Sequence, residues 1–349
     1  MRRTLLLIVA FLSLVIIDTT FSQILFTENF SYTSGDSLTA NGWLRHSGSQ
    51  GQILVATPGL TYSGYVLSNI GNSARLDTVG SSGIDVNKPT IPDSTNSVYA
   101  SFMVNVSYAS TTGDYFFHVG NTTLGSIFRG KVFAKDSLGA LRLGISKLSN
   151  TGTYSPVAYN YNTTYLIIIK YKFNTGSAID DEVSMFIFSA SIPVSEPGSP
   201  TVGPLTDATP TGDLNNVGTV ALRQGTNTAR QILLIDGIRV FKSWGNLVGI
   251  TPITEVAEDF SLSQNYPNPF NPSTKINFSI PERSFVTLKV YDMLGKEVME
   301  LVNNNFSAGT YAVDMNANGL STGIYMYSIS ASTESGNVLR DTKKLMLVK

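Results

Sequence analysis

VYASFMVNV, residues Val98–Val106, reads with a period of two. Val98, Ala100, Phe102, Val104 and Val106 fall on one face, and Tyr99, Ser101, Met103 and Asn105 on the other. Successive side chains of a strand point to opposite sides, whereas a helix returns its apolar residues every three or four positions. The stretch is therefore read as a strand. YLIIIKYKF (Tyr165–Phe173) repeats the rhythm, with Tyr165, Ile167, Ile169, Tyr171 and Phe173 on one side and Lys170 and Lys172 opposite. VSMFIFSA (Val183–Ala190) and QILLIDGIRVF (Gln231–Phe241) are runs of the same kind, separated by Gly, Asn and Asp turns. No long amphipathic helix is visible before residue 250. Many short strands with turn punctuation predict an all-β chain whose first part is a jelly-roll β-sandwich.

Composition agrees with this reading. The 349 residues allow two domains of ordinary size, each able to bury a core. Charged residues make up 14%, below the usual quarter, so polarity comes from Ser, Thr and Asn, as in extracellular β proteins. The formal net charge of −1 gives no basic excess, which argues against a nucleic-acid partner. Cysteine is absent, which excludes disulfides, thiolate chemistry, cysteine metal sites and a lipid-anchored N-terminal cysteine. At the start, Arg2 and Arg3 precede an apolar run from Leu5 to Ile17 that is short for a membrane span. Thr20 and Ser22 are small residues suited to cleavage after Ser22, so residues 1–22 read as a signal peptide for the general secretory route. The alternative is an N-terminal anchor helix.

The first sandwich is expected over residues 23–247. Pro193–Gly212 is rich in Pro and Gly and is read as a surface loop, with a domain linker as the alternative. Residues 248–263, with Gly, Pro and acids, are read as the interdomain linker. A second strand series fills 264–349: TKINFSI alternates at Ile276, Phe278 and Ile280, FVTLKVYD at Val286, Leu288 and Val290, and GTYAVDM, GIYMYSISAS and KKLMLVK follow. About seven strands in about ninety residues is the size of an immunoglobulin-like sandwich.

The tail opens with Tyr266-Pro267-Asn268-Pro269-Phe270-Asn271-Pro272. Three prolines fix φ and forbid helix, and each Asn-Pro pair favours extended or turn backbone; Tyr266 and Phe270 are expected to pack into the sandwich. Val290-Tyr291-Asp292, Leu294-Gly295, Gly309-Thr310-Tyr311, Gly323-Ile324-Tyr325 and the terminal Lys344 to Lys349 follow in order. This series resembles the type A C-terminal sorting domain of the Bacteroidota type IX (Por) secretion system. The resemblance implies recognition by the secretion machinery at the outer membrane, delivery to the cell surface or beyond, and often removal of the tail with attachment to surface polysaccharide. The bland alternative is a plain immunoglobulin-like spacer.

The first domain resembles laminin-G-like or concanavalin-like modules. The similarity rests on Phe26-Thr27-Glu28-Asn29-Phe30, Gly42-Trp43, Pro58 to Tyr62, Tyr115 to Gly120 and Ile235-Asp236-Gly237-Ile238-Arg239-Val240. It implies architecture more than activity, since modules of this class differ in ligand. Asp236 falls by alternation on an apolar face, where a carboxylate is costly unless paired or bound to a metal. One reading is a structural calcium ion held by Glu28 and Asp236 if the first and last strands pair; the other is a bulge at Asp236-Gly237 whose carboxylate caps backbone N–H groups. Trp43, Tyr62, Tyr65, Tyr115, Tyr154, Tyr159 and Tyr161 are candidate sugar-stacking rings, the first four foremost, with ordinary packing as the alternative. Asp180-Asp181-Glu182 is read as a solvated turn, although paired acids would suit a glycoside hydrolase. His46 and His118 are read as surface or rim residues. The sequence thus predicts a non-catalytic glycan-binding module, with a polysaccharide-degrading enzyme or an adhesive surface protein as alternatives.

Overall fold

The computed structural model describes residues 24–77, 82–193, 195–206, 212–226, 228–244, 247, 250–254, 257–306, 308–317 and 319–349. The expected signal peptide, 1–22, lies outside the described residues.

Fifteen strands build the first sandwich. They are β1 (Ile24–Glu28), β2 (Leu44–Ser47), β3 (Leu54–Ala56), β4 (Ser73–Asp77), β5 (Asp85–Asp93), β6 (Ser97–Ala109), β7 (Asp114–Gly120) and β8 (Phe128–Ser137). Then come β9 (Ala140–Ser146), β10 (Thr153–Tyr154), β11 (Thr164–Lys172), β12 (Glu182–Phe188), β13 (Val202–Leu205), β14 (Val217–Leu222) and β15 (Gln231–Phe241). One sheet runs β13-β12-β11-β6-β15-β4-β3, with β1 also paired to β15; the other runs β10-β9-β8-β7-β14-β5-β2. The pairings are antiparallel. A short 3-10 turn, Leu38–Asn41, is capped by the Ser37 hydroxyl, which accepts from Ala40 N–H.

The expected strand faces form the core. Val98, Ala100, Phe102, Val104 and Val106 of β6 pack with Ile167 and Ile169 of β11 and with Phe116, Phe117 and Val119 of β7. Each such side chain contributes about 1.5–3 kcal/mol when fully buried. The opposite face of β6 departs from simple alternation, because Tyr99, Ser101 and Met103 are buried too. With Leu166, Ile168, Phe186 and Phe241 they form a second apolar layer with Leu60, Tyr62, Tyr65, Leu67, Trp244 and Leu247.

Two sequence expectations need correction. The Pro193–Gly212 loop contains a strand, β13, on the sheet edge beside β12. An edge is where Pro204 is tolerated, since its missing N–H would break a central ladder. Residues 248–263 are not wholly a linker: β16 (Ile250–Thr254) and β17 (Ser261–Leu262) lie within them and belong to the second sandwich. Its other strands are β18 (Ser273–Ile280), β19 (Ser284–Tyr291), β20 (Glu297–Phe306), β21 (Gly309–Asn316), β22 (Gly323–Thr333) and β23 (Val338–Leu347). They form sheets β16-β21-β18-β17 and β20-β19-β22-β23. Ile276, Phe278 and Ile280 of one sheet share a core with Val286, Leu288 and Val290 of the other.

Candidate functional site

Four of the seven candidate stacking rings are buried, Trp43 at 2% exposed, Tyr65 4%, Tyr62 5% and Tyr115 8%, whereas Tyr154, Tyr159 and Tyr161 are partly exposed. A sugar needs a free ring face, so this burial corrects the stacking role. Trp43 stacks on Phe30 at 6.0 Å between centroids. Tyr65 O–H donates to Gly237 O and lies 2.7 Å from Ser101 Oγ. Tyr62 packs with Leu60 and Leu67 in the second apolar layer.

β1 and β15 pair as expected, with Glu28 opposite Ile238. The calcium reading of Glu28 and Asp236 nevertheless meets oxygens that are already engaged. Glu28 Oε1 accepts Phe30 N–H at 2.9 Å, and Oε2 accepts Tyr32 O–H at 2.8 Å and Lys88 Nζ at 2.6 Å. Asp236 accepts Leu60 N–H at 2.7 Å on Oδ2 and Gly237 N–H at 2.6 Å on Oδ1. Gly237 takes φ 59°, and the β15–β6 register shifts between Asp236 and Arg239. The capped bulge is therefore what the backbone forms. Burial pushes the Asp236 carboxyl up to about 8, against the two backbone donors that favour its charged form.

Asp180, Asp181 and Asp213 offer carboxylate oxygens within 4.8 Å of one another and could hold a metal ion. Asp181 is not solvated as expected but buried, accepting Tyr171 O–H at 2.7 Å and Asn174 N–H at 2.7 Å. The ammonium of buried Lys147 stands 2.5 Å from Asp213 Oδ1, so the cluster contains a cation of its own. Glu182 pairs with Lys172 at 3.2 Å. Two of the acids considered for hydrolysis, Asp181 and Glu182, are thus engaged by neighbouring groups. Asp213 is more than thirty residues away in sequence, and no local pattern pointed to it.

The outer face of the seven-stranded sheet gathers residues that alternation along single strands did not connect. Tyr154 of β10 stands opposite Gly144 of β9, Gly144 opposite Phe133 of β8, and Phe133 opposite Tyr115 of β7. The register thus lays one aromatic row across four strands. Tyr115 and Phe133 are 5.6 Å apart, and Phe133 and Tyr154 6.3 Å. Gly144 makes the row close, since a Cβ there would lie 2.8 Å from the Tyr154 ring. Cations flank it: Lys135 stands opposite Arg142, Lys135 Nζ lies 4.0 Å from the Tyr154 centroid, Lys131 Nζ 4.9 Å from that of Tyr115, and the Arg223 guanidinium 4.4 Å from Tyr115. Tyr154, Lys135 and Arg142 remain partly exposed. Burial raises the Tyr154 phenol to about 12.

His118 continues this face, 5.9 Å from the Tyr115 ring and 5.9 Å from His46. The expectation of a surface residue fails, because His118 is fully buried. Among the described residues its Nε2 and the Nδ1 of His46 have no hydrogen-bond partner. Burial pulls His118 down to about 3, so its imidazole is neutral at ordinary pH.

In the second sandwich the proline-rich segment grips the C-terminal strand. Phe270 N–H donates to Met346 O at 2.9 Å, and Val348 N–H returns to Phe270 O at 2.9 Å. Met346 N–H donates to Asn268 Oδ1 at 2.9 Å, and Gln264 Nε2 to Lys344 O at 2.7 Å. Thr274 Oγ1 donates to Pro267 O at 2.8 Å, Ala317 N–H to Pro272 O at 2.8 Å, and Lys349 N–H to Thr322 Oγ1 at 3.1 Å. Tyr325 is buried, two residues after Gly323 opens β22. Phe270 packs in the core as expected, but Tyr266 does not: its ring is 81% exposed. Asn271 is exposed as well.

The molecule is thus defined as an all-β, two-sandwich protein with its C-terminal strand locked by a proline-rich loop. Residues 264–346 match the family described as secretion system C-terminal sorting domain, and the second sandwich is such a domain. A tail of this family implies a secreted or cell-surface protein. No curated protein matches the sequence. Among solved structures, an alginate lyase, Aly36B, in complex with alginate tetrasaccharide is 14% identical, covering 64% of this chain and 96% of its own at a TM-score of 0.37. Domain 4 of AbnA, an extracellular arabinanase from Geobacillus stearothermophilus, in complex with arabinotriose, is 13% identical over 64% of this chain and 93% of its own, TM-score 0.35. A β-1,3-glucanase from Mycobacterium marinum is 11% identical over 62% and 98%, TM-score 0.35. No helix among the described residues is long and apolar enough to cross a membrane.

Proposed function

We propose that the first sandwich is a non-catalytic glycan-binding module, which the sorting domain delivers through the type IX secretion machinery to the outer-membrane surface or the medium. The supporting observation is Tyr154, partly exposed at the end of a row whose other rings, Tyr115 and Phe133, are buried, with the partly exposed cations Lys135 and Arg142 beside it. Rings beside hydrogen-bonding donors suit sugars, which present both apolar C–H faces and hydroxyls. Tyr154 is the ring in this row that keeps partial exposure, so it is the candidate ring expected to stack here. Calcium enters the reading at the Asp180, Asp181 and Asp213 carboxylates, hard oxygen donors of the type that ion takes, where it would displace the Lys147 ammonium from Asp213.

The test is a glycan array and a polysaccharide pull-down with the full chain, repeated under chelation. Retention that falls about tenfold in Tyr154→Ala supports the site, a loss of the size expected for one stacking contact. Loss of capture under chelation supports the calcium assignment. Shortening of the captured polymer would replace binding by a polysaccharide-degrading activity. Silence from a folded protein would favour an adhesive or structural surface role.

A further inference from the structure

We propose that the ligand of this face is an anionic polysaccharide, one carrying carboxylate or sulfate groups along its length; this rests on the glycan-binding reading above. The chain as a whole is balanced at a net charge of −1, yet this face is not. It holds Lys131, Lys135, Arg142 and Arg223 against the carboxylates Asp85 and Asp114. Both carboxylates are taken by one residue, since Arg223 pairs with Asp114 and lies 3.8 Å from Asp85. Lys131 is spent on the covering loop, donating to Leu148 O at 2.9 Å and Asn150 Oδ1 at 2.8 Å.

Lys135 and Arg142 are different. They stand directly opposite each other on β8 and β9. Like charges in that position destabilise a sheet. The Arg142 guanidinium donates to the carbonyls of Ser155 and Pro156, and Lys135 lies over Tyr154; among the described residues neither has a carboxylate partner. Both are partly exposed. An anion seated between them would relieve their repulsion and gain charge-assisted hydrogen bonds. Lys135 and Arg142 stand beside the partly exposed Tyr154, so this place offers a ring face and an anion site side by side, as the residues of a charged polysaccharide require.

The experiment is affinity electrophoresis of the full chain in gels containing polygalacturonate, its carboxyl-reduced neutral counterpart, dextran sulfate or dextran. Retardation by polygalacturonate but not by the reduced polymer is expected, weakening as salt rises from about 0.05 to about 0.5 M. Lys135→Gln/Arg142→Gln should lose about tenfold or more in apparent affinity, as expected for charge-assisted contacts. Lys275→Gln, in the sorting domain, should lose none. Retardation by dextran sulfate alone, lost in the double variant, assigns sulfate in place of carboxylate and supports the anionic class. Equal retardation by the reduced polymer, untouched by the double variant, overturns the anionic class while leaving glycan binding intact. Charge-dependent retardation that survives the double variant overturns the site. No retardation by any of these polymers, together with a silent neutral-glycan array, overturns the glycan-binding reading as well.

Discussion

Asp236 and His118 are buried titratable groups whose shifts oppose each other. Asp236 is raised by burial to about 8 from an ordinary 3.8, so the folded state holds its proton more tightly than the unfolded chain. Its contribution is fully present below about pH 4 and is lost as pH rises toward 8. His118 is lowered by burial to about 3 from 6.5, so its contribution is present above pH 6.5 and lost as pH falls toward 3. Each slope is at most about 1.4 kcal/mol per pH unit. Between about pH 4 and 6.5 they cancel, and calorimetry across pH should show a plateau with losses on both sides. Asp236→Asn should leave the melting temperature rising from pH 4 to 6.5, and His118→Phe should leave it falling from pH 4 to 8. Wild-type profiles in both variants would refute the assignment. Asp236 was legible in the sequence, because alternation put it on an apolar face. His118 was not: irregular register between β7 and β8 puts both Phe116 and Phe117 in the core and brings Tyr115 and His118 together outside. Strict alternation cannot reveal a bulge.

At the level of elements, the sorting motif works through the strand it holds. Phe270 is buried and bridges in parallel to Leu347, so the loop and β23 stabilise each other. Phe270→Ala should destabilise the second sandwich by about 3–5 kcal/mol, the usual range for a lost core ring. Asn268→Ala removes one acceptor and should cost about 1 kcal/mol. Fractionation of a host with the secretion system checks the consequence. The Phe270→Ala protein should accumulate inside the outer membrane, Phe270→Leu should be exported, and normal export of both would separate the signal from this packing. The long strands were readable because eight or more residues establish a period. β13 and β17 were not, being four and two residues long, with β13 also carrying Pro204. Tyr115 and Tyr154 were legible singly but not as a row, because its three rings sit on three strands and pass Gly144 on a fourth, and only register aligns them.

At the scale of the molecule, the sequence match to the sorting family and the physical boundary of that domain do not coincide. The match begins at residue 264. The sheet begins earlier: β16 pairs with β21 over Ile250–Thr254, β17 pairs with β18, and Leu262 is buried in the second core. A fragment of residues 264–349 would leave β21 and β18 as bare edges, which invite pairing with other chains. A fragment of residues 250–349 keeps both edges covered. The longer fragment should therefore melt several degrees higher, since each kcal/mol moves a domain of about one hundred residues by about 4–8 °C. It should also stay monomeric at concentrations where the shorter one associates. Scanning calorimetry and light scattering on the two fragments decide the matter. Equal melting temperatures and equal monodispersity would mean that β16 and β17 are ornaments of the linker. A difference would mean that a cut releasing the first sandwich has to fall between Leu247 and Ile250, because a cut at residue 263 strips two strands from the domain that carries the export signal.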